Sequence, residues 1–173
     1  MVSRGRIRTA VELRTHRLSR VARLGDEQGG VVSRRQLYAE GITRGEVRAH
    51  VRARRWQRIG SQCLAVHTGP LSPAGQHWAA VLEAGPRAHL DGASALIASG
   101  LRNYSQATIR VSVPKGARVR RAKGLDIRET RRWRTDDIVP TGVPRSRPTV
   151  AAIRGALWAV SDRQDTDPVG PSS

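Results

Sequence analysis

The clearest local signal in the sequence is a helix start at Thr43. Thr43 and Glu46 have the spacing of a capping box, in which the hydroxyl accepts a hydrogen bond from one unpaired backbone N–H and the carboxylate accepts one from another. Ile42 and Val47 occupy the two positions at which apolar side chains pack together and fix the entry of the chain into a helix. The pattern predicts a helix that runs to about Arg54.

One face of this predicted helix carries a row of arginines. At about 100° per residue they fall within a sector of about 80°, and they are Arg44, Arg48, Arg52 and Arg55. Such a row on a helix that follows a turn indicates contact with a polyanion, whereas the alternative is a solvated face in an arginine-rich chain. If four of these arginines contact the phosphates of duplex DNA, log K should fall with log [salt] with a slope of roughly −3.6.

Shorter elements are predicted on both sides of this helix. They are a helix that ends at Gly29-Gly30, a helix from Arg34 to Glu40 with Ser33 as its N-cap and Gly41 as its stop, and two strands over Trp56–Ile59 and Cys63–Val66. This order predicts a winged helix-turn-helix over residues 20–67. The second helix of a helix-turn-helix enters the major groove, and its N-terminal residues contact base edges. We expect Trp56 to anchor the hairpin in the core rather than to contact a base.

The charge of the chain fits a nucleic-acid partner. Its 173 residues include 31 Lys and Arg against 14 Asp and Glu, which gives a net charge of +17. Residues 1–67 carry 15 Arg less 5 acids, or +10, and residues 68–173 carry 16 basic less 9 acidic residues, or +7. Such an excess favours polyanions. With no Phe and two Tyr, an aromatic platform for single strands is not expected, so we favour double-stranded DNA.

The compartment is suggested by cysteine usage and by hydropathy. The single cysteine, Cys63, allows no internal disulfide, which favours a reducing cytoplasm. No apolar run approaches the roughly 20 residues that span a bilayer. No apolar stretch of a secretory signal follows the basic N-terminus either. The sequence therefore predicts a cytoplasmic protein with no membrane partner.

The remaining sequence predicts an α+β chain. After a basic arm over residues 1–19 and the winged helix, a turn at Thr68–Pro70 leads into a small mixed α/β domain over residues 70–161, and residues 162–173 are predicted to be a disordered tail. The elements predicted in the second domain are helices from Ser72 to about Ala84, over Ala93–Ser99 and from about Pro148 to Ser161, and strands over His89–Asp91, Thr108–Val113, Leu125–Arg128 and Ile138–Val139. We expect the second strand to have one wet face and Arg118–Gly124 to form a basic hairpin loop.

Several short motifs, in this order, resemble the AbiEi-type antitoxins of type IV toxin–antitoxin systems and their actinobacterial relatives. The resemblance covers about residues 20–160 and is carried by Val31–Leu37, Gly41–Arg44, Arg55–Ile59, His67–Ser72, Ser94–Leu96, Gly100-Leu101, Ile109–Pro114, Gly142–Arg145 and the closing helix. It implies a winged helix that binds operator DNA and represses its own operon, and a second domain linked to neutralising a nucleotidyltransferase toxin. Many relatives continue into a Vsr-like nuclease-fold domain, so the resemblance implies a member truncated at its C-terminus.

The sequence predicts a binding protein rather than an enzyme. The five His and Cys63 lack the spacing of metal ligands, and no phosphate-binding loop occurs, so we expect no metal and no cofactor. His89, Asp91 and Ser94 are triad residue types, but six neighbouring residues give no sign of an oxyanion hole. Asp126 and Glu129 are better explained by charge alternation along a strand than by a nuclease site.

Two alternatives to a DNA-binding repressor stay open. One is an interaction protein that acts through residues 70–160, and the other is a non-catalytic remnant of a Vsr-like nuclease-fold protein. The candidate DNA-binding residues are Arg34, Arg35, Thr43, Arg44, Arg48, Arg52, Arg55 and Arg58. The resemblance implies a DNA-binding role for all of them except Arg52 and Arg55, which are candidates from their predicted place on the helix alone.

Overall fold

The structure is a computed structural model that describes residues 9–119 and 122–164. Within these ranges the chain is α+β, with six α-helices and two β-sheets. The helices are α1 Ala10–Glu27, α2 Arg34–Ala39, α3 Arg44–Arg52, α4 Pro73–Ala84, α5 Gly92–Ala98 and α6 Pro148–Gln164. The strands are β1 Val31–Ser33, β2 Gln57–Arg58, β3 Cys63–Ala65, β4 His89–Leu90, β5 Ile109–Pro114, β6 Leu125–Thr130, β7 Ile138–Val139 and β8 Arg145–Ser146.

The described residues form two compact units, Met1–Ala79 and Ala80–Ser173. The division falls within α4, about ten residues after the turn at Thr68–Pro70 where composition suggested it. No helix in the described ranges combines the length and the apolar character needed to cross a bilayer.

The first unit is organised around a three-stranded antiparallel sheet in the order β1-β3-β2. The sequence suggested only a link at Val31-Val32, but these residues pair with Ala65 and Leu64 of β3 and make the hairpin part of a sheet. Side chains from α1, α2 and α3 pack together with those of this sheet. Its buried cluster consists of Val21, Val32, Leu37, Ile42, Val47, Trp56 and Leu64.

Helix α1 begins at Ala10, inside the segment over residues 1–19 that was predicted to be a basic arm. Thr9 is its N-cap: the Glu12 amide donates to Thr9 Oγ1 at 3.2 Å, and the Thr9 amide donates to Glu12 Oε2 at 2.7 Å. The reciprocal cap fixes the start at Ala10, so residues 10–19 are helical and do not form an arm. Residues 1–8 of the predicted arm lie outside the described residues.

The second unit contains a five-stranded mixed sheet in the order β6-β5-β4-β8-β7. The predicted hairpin between the two long strands is wrong, because β5 and β6 pair in parallel over their whole length, from Ile109–Leu125 to Pro114–Thr130. A tight turn would leave two successive strands antiparallel, whereas parallel strands require a connection that returns to the start of the first strand. Arg120 and Arg121 of that connection lie outside the described residues.

The prediction of a wet face on β5 is also wrong. The Ser112 side chain is fully buried, and its hydroxyl donates to Asp91 Oδ2 at 2.7 Å. Arg154 of α6 donates to the same oxygen from Nη1 at 2.9 Å. Asp91 is fully buried at the N-cap of α5, where Oδ1 accepts from the Gly92 amide at 2.9 Å. One carboxylate thus ties together β4, β5, α5 and α6.

These donors keep the Asp91 carboxyl ionised. Burial alone would raise its pKa, but the nearby His89 imidazole, the Ser112 hydroxyl and Arg154 outweigh burial, so its pKa lies well below the usual range. The same guanidinium also contacts Asp137 Oδ2, from Nη2 at 3.3 Å.

Helix α6 extends three residues beyond the predicted stop at Ser161, to Gln164. Residues 162–164 of the predicted tail are therefore helical, and residues 165–173 lie outside the described residues. The exposed side of α6 carries Ile153 and Leu157, one turn apart and 64% and 61% exposed.

Candidate nucleic-acid interface

The capping box at Thr43 fixes the start of α3. The Glu46 amide donates to Thr43 Oγ1 at 3.2 Å, and the Thr43 amide donates to Glu46 Oε2 at 2.8 Å. These hydrogen bonds from Thr43 lower the pKa of Glu46, and Arg17 contributes to the same effect. Val47 and His50 are buried and set the rotation of the helix about its axis. Thr43 therefore has a structural role as a cap.

Three arginines lie on the outer side of α3 at intervals of one turn, as the sequence predicted. Arg44, Arg48 and Arg52 are all exposed, on a different side of the helix from Val47 and His50. Successive members are four residues apart, so their Cα atoms are separated by about 6 Å along the axis. We call these three side chains the arginine row.

Arg55 does not belong to the row, contrary to the prediction. The helix ends at Arg52, and Arg54 adopts a left-handed conformation with φ 52°. The Arg55 amide donates to the His50 carbonyl at 3.0 Å and the Arg54 amide to the Val51 carbonyl at 3.0 Å, which is a Schellman C-cap. The chain turns away here, and Arg55 is an exposed residue of the following loop.

The acidic residues nearest the row are already paired with α1. Arg20 Nε lies 2.7 Å from Glu40 Oε2, and Arg17 Nη2 lies 3.5 Å from Glu46 Oε1. Arg17 also donates to the carbonyl of Gly41, in the turn between α2 and α3. Because α1 neutralises both carboxylates, the outer side of α3 keeps an unbalanced positive charge.

Arg44 is held by an aromatic side chain from α2. Its guanidinium carbon lies 6.0 Å from the centroid of the Tyr38 ring, within the range of a cation–π contact. Tyr38 is 38% exposed, so its ring is accessible at the surface beside Arg44. No sequence pattern indicates this contact, because the i, i+6 separation of two residues across a turn carries no regular signal.

The two arginines at the start of α2 differ in environment. Arg34 is half-buried, and its Nε donates to the Ser61 carbonyl at 3.0 Å while its amide donates to the Gln62 carbonyl at 2.8 Å. Arg34 thus holds the loop of the β2–β3 hairpin against α2. Arg35 is exposed, and its side chain makes no comparable hydrogen bond to the hairpin among the described residues.

The hairpin presents Arg58 and buries Trp56. Arg58 is exposed on β2 and pairs across the sheet with Leu64. Trp56 is 7% exposed and stacks on His50, with ring centroids 4.1 Å apart and an interplanar angle of 14°. The prediction that Trp56 anchors the core is confirmed. The stacked pair joins the end of α3 to the start of the hairpin.

His50 makes the stability of this unit depend on pH. Burial lowers its pKa from the ordinary 6.5, and the charges of Arg55 and Arg14 lower it further, while Glu46 has a smaller opposite effect. Its Nδ1 is buried without a hydrogen-bond partner among the described residues. The native fold therefore favours the neutral form of the His50 ring.

We accordingly expect the free energy of unfolding to be constant above about pH 6.5 and to fall as the pH drops below that value. The unfolded chain takes up a proton there that the native His50 resists, so acid favours unfolding. Urea titrations at pH 5.0, 6.0, 7.0 and 8.0, followed by Trp fluorescence, measure the effect. His77 contributes with the same sign because burial lowers its pKa too. In His50→Phe the dependence should weaken; an unchanged profile would contradict the assignment.

The residue types of a triad are not assembled in the second unit. Ser94 Oγ accepts from the Arg110 amide at 2.7 Å and from Gln106 Nε2 at 2.6 Å, whereas His89 Nε2 lies 3.7 Å from Asp91 Oδ2. Asp126 lies against Arg110 at 2.6 Å, in an ion pair between neighbouring strands. No group of three potential metal ligands occurs in the part of the chain that the structure describes.

The fold and this surface define an α+β protein whose first unit exposes an arginine-lined helix beside a short hairpin. No protein-family model matches the chain, and no curated protein is significantly similar to it.

Proposed function

We propose that the protein is a double-stranded DNA-binding repressor whose first unit is a winged helix. In this proposal α2 and α3 are the helix-turn-helix, α3 is the recognition helix, and β2 and β3 are the wing. The arrangement β1-α2-α3-β2-β3 with a β1-β3-β2 sheet supports this interpretation. The observation that carries it is the arginine row, exposed on α3 while the adjacent carboxylates are paired with α1.

Three further exposed arginines of the unit lie close to this helix in sequence and are suited to phosphates. Arg35 lies in the first turn of α2, Arg55 directly follows the cap of α3, and Arg58 lies on β2. Phosphate contacts fix the orientation of a protein on the duplex, while base contacts supply specificity. Arg34 acts indirectly, because it holds the hairpin loop.

The resemblance to AbiEi-type antitoxins suggests the biological role: a cytoplasmic, non-enzymatic regulator that represses its own operon and neutralises a nucleotidyltransferase toxin. Ile153 and Leu157 on α6 favour a protein partner for the second unit, because large apolar side chains exposed side by side on a helix are typical of interfaces. Co-purification with a nucleotidyltransferase encoded beside the protein, and its loss in Ile153→Glu/Leu157→Glu, tests the antitoxin role.

The salt dependence of binding tests the DNA-binding proposal. Fluorescence anisotropy with a labelled 25-base-pair duplex from the region upstream of its own gene, between 50 and 300 mM KCl, should give a slope of log K against log [KCl] of about −3.6 if four arginines contact phosphates. A scrambled duplex measures non-specific binding. A flat salt dependence, or equal affinity for the scrambled duplex at 100 mM KCl, would contradict the proposed repressor.

A further inference from the structure

A row of small residues runs along α3 beside the arginine row. It consists of Gly45 and Ala49 in the helix and Ala53 at its C-cap, each following one arginine of the row by one position, and all three are exposed. At 100° per residue the two rows are neighbours on the outer surface of the helix. The helix therefore presents a shallow strip with almost no side-chain volume, bordered by three guanidinium groups.

Packing within the protein does not account for Gly45. A Cβ built on it meets only Thr43 Oγ1, at an ordinary van der Waals distance of 3.8 Å, and its backbone is not left-handed. Glycine is one of the poorest helix formers, so alanine at this place would favour α3. A residue that weakens a helix without serving the fold is explained if another molecule approaches the backbone there.

The chemistry of the exposed side chains on this surface limits which bases it can recognise. The groove-facing part of α3 offers arginine, with Thr43 already engaged as the cap, and has no Asn or Gln. Arginine forms a bidentate contact with O6 and N7 of guanine in the major groove, whereas adenine is read by Asn or Gln. Side chains one helical turn apart contact successive bases when a helix lies in the groove.

We propose that Arg44 and Arg48 recognise guanines in two neighbouring base pairs through the major groove, while the small side chains of Gly45 and Ala49 allow the helix to come close to the base edges. This inference rests on the proposed function. Tyr38 orients Arg44 through the cation–π contact at 6.0 Å, so that less conformational freedom is lost on binding. Arg52, at the far end of α3, together with Arg35, Arg55 and Arg58, contacts phosphates.

Base analogues distinguish recognition of guanine in the major groove from a preference for G·C pairs that depends on the minor groove. Three 20-base-pair duplexes share their ends and carry a central GGCC block made with guanine, with 7-deazaguanine, or with inosine; a fourth carries a central ATAT block. 7-Deazaguanine lacks the N7 acceptor, whereas inosine keeps N7 and O6 and lacks only the minor-groove amino group. We expect guanine and inosine duplexes to bind alike, and the A·T duplex to bind at least about 25-fold more weakly, from about 5-fold or more per bidentate pair. The 7-deazaguanine duplex keeps O6 and should lie between them, clearly weaker than the guanine duplex.

The variant Arg44→Lys/Arg48→Lys keeps both charges and lacks the planar fork, so it should lose this discrimination while its salt slope stays unchanged. The matched control Arg102→Lys changes an exposed arginine of the second unit and should keep the discrimination. Equal affinity of wild type for all four duplexes, inosine behaving like A·T, or preference retained in the double Lys variant would each overturn the proposal and leave DNA binding standing. No binding to any duplex at 50 mM KCl would overturn the proposed function itself.

The strip of small residues has its own test. Ala49→Leu keeps a good helix former at an exposed position, so the fold should tolerate it, but the side chain would hold the helix away from the bases. We expect affinity for the guanine duplex to fall at least tenfold with the thermal midpoint unchanged. Ala22→Leu, at an exposed alanine of α1, is the matched control and should bind like wild type. Wild-type affinity in Ala49→Leu would show that this surface does not face the groove.

Discussion

Alanine at Arg35, Arg52, Arg55 and Arg58 together is expected to weaken duplex binding by three to four orders of magnitude at 0.1 M salt. Each phosphate contact releases about 0.9 of a counterion, and at 0.1 M this corresponds to roughly an eightfold gain in affinity per contact. Four contacts multiply to roughly 4000-fold. The slope of log K against log [KCl] should become flatter by about 3.6 at the same time.

A second quadruple variant separates local contact from total charge. Lys115, Arg102, Arg131 and Arg134 are exposed residues of the second unit, and their replacement with alanine also changes the net charge from +17 to +13, since 17 less 4 is 13. If long-range attraction dominates, both variants should lose affinity equally. If the first unit holds the duplex, the control should stay within a few-fold of wild type. Equal losses would contradict the assigned phosphate contacts.

The two sets of variants together divide the interface by chemistry. Loss of phosphate contacts should reduce affinity for every duplex and flatten the salt slope, whereas Arg44→Lys/Arg48→Lys should remove discrimination at constant slope. The substituted side chains in both sets are exposed. A urea midpoint equal to that of the wild type therefore shows, for each variant, that the fold is intact. A variant that changes both properties would show that one side chain serves both purposes.

Local signals in the sequence predicted the first unit well where neighbours in the chain determine the geometry. Thr43 and Glu46 are three residues apart, so the cap and the start of α3 follow from the sequence alone. The same holds for Ser33 at α2. The end of α3 was less predictable: Arg54 takes the left-handed position that glycine normally occupies, and nothing in its identity indicates that the helix stops there.

The features that the sequence did not predict depend on pairing between residues that are far apart in the chain. The strand at Val31 depends on a partner at Ala65, and the parallel pairing of Ile109 with Leu125 depends on how the connecting segment runs. Alternation of apolar and polar residues predicts a strand but not the direction of its neighbour. Arg34 illustrates the same limit in the candidate site, because its carbonyl partner at Ser61 lies 27 residues away.

Removal of Arg154 is expected to be the most damaging single substitution in the second unit. Its guanidinium donates to Asp91 Oδ2 at 2.9 Å, to the Arg132 carbonyl at 3.1 Å and to Asp137 Oδ2 at 3.3 Å. Arg154→Met keeps much of the aliphatic volume but leaves the fully buried Asp91 carboxylate without its cation. Breaking a buried ion pair from one side costs about 3–5 kcal/mol, so the urea midpoint should fall sharply.

The surface residue Arg147 is the matched control, because it is exposed and makes one side-chain hydrogen bond, from Nε to the Asp136 carbonyl at 2.7 Å. Arg147→Met should cost less than about 1 kcal/mol. If the cost of Arg154→Met comes from the unpaired carboxylate, Asp91→Asn in the same chain should recover part of it, since the amide carries no charge. In the wild type, acid should remove the stability that the ionised Asp91 provides: the loss begins below the ordinary aspartate pKa of 3.8 and continues until the pH falls below the lowered pKa of Asp91. A double variant no more stable than Arg154→Met alone would show that the arginine acts through packing rather than through this charge.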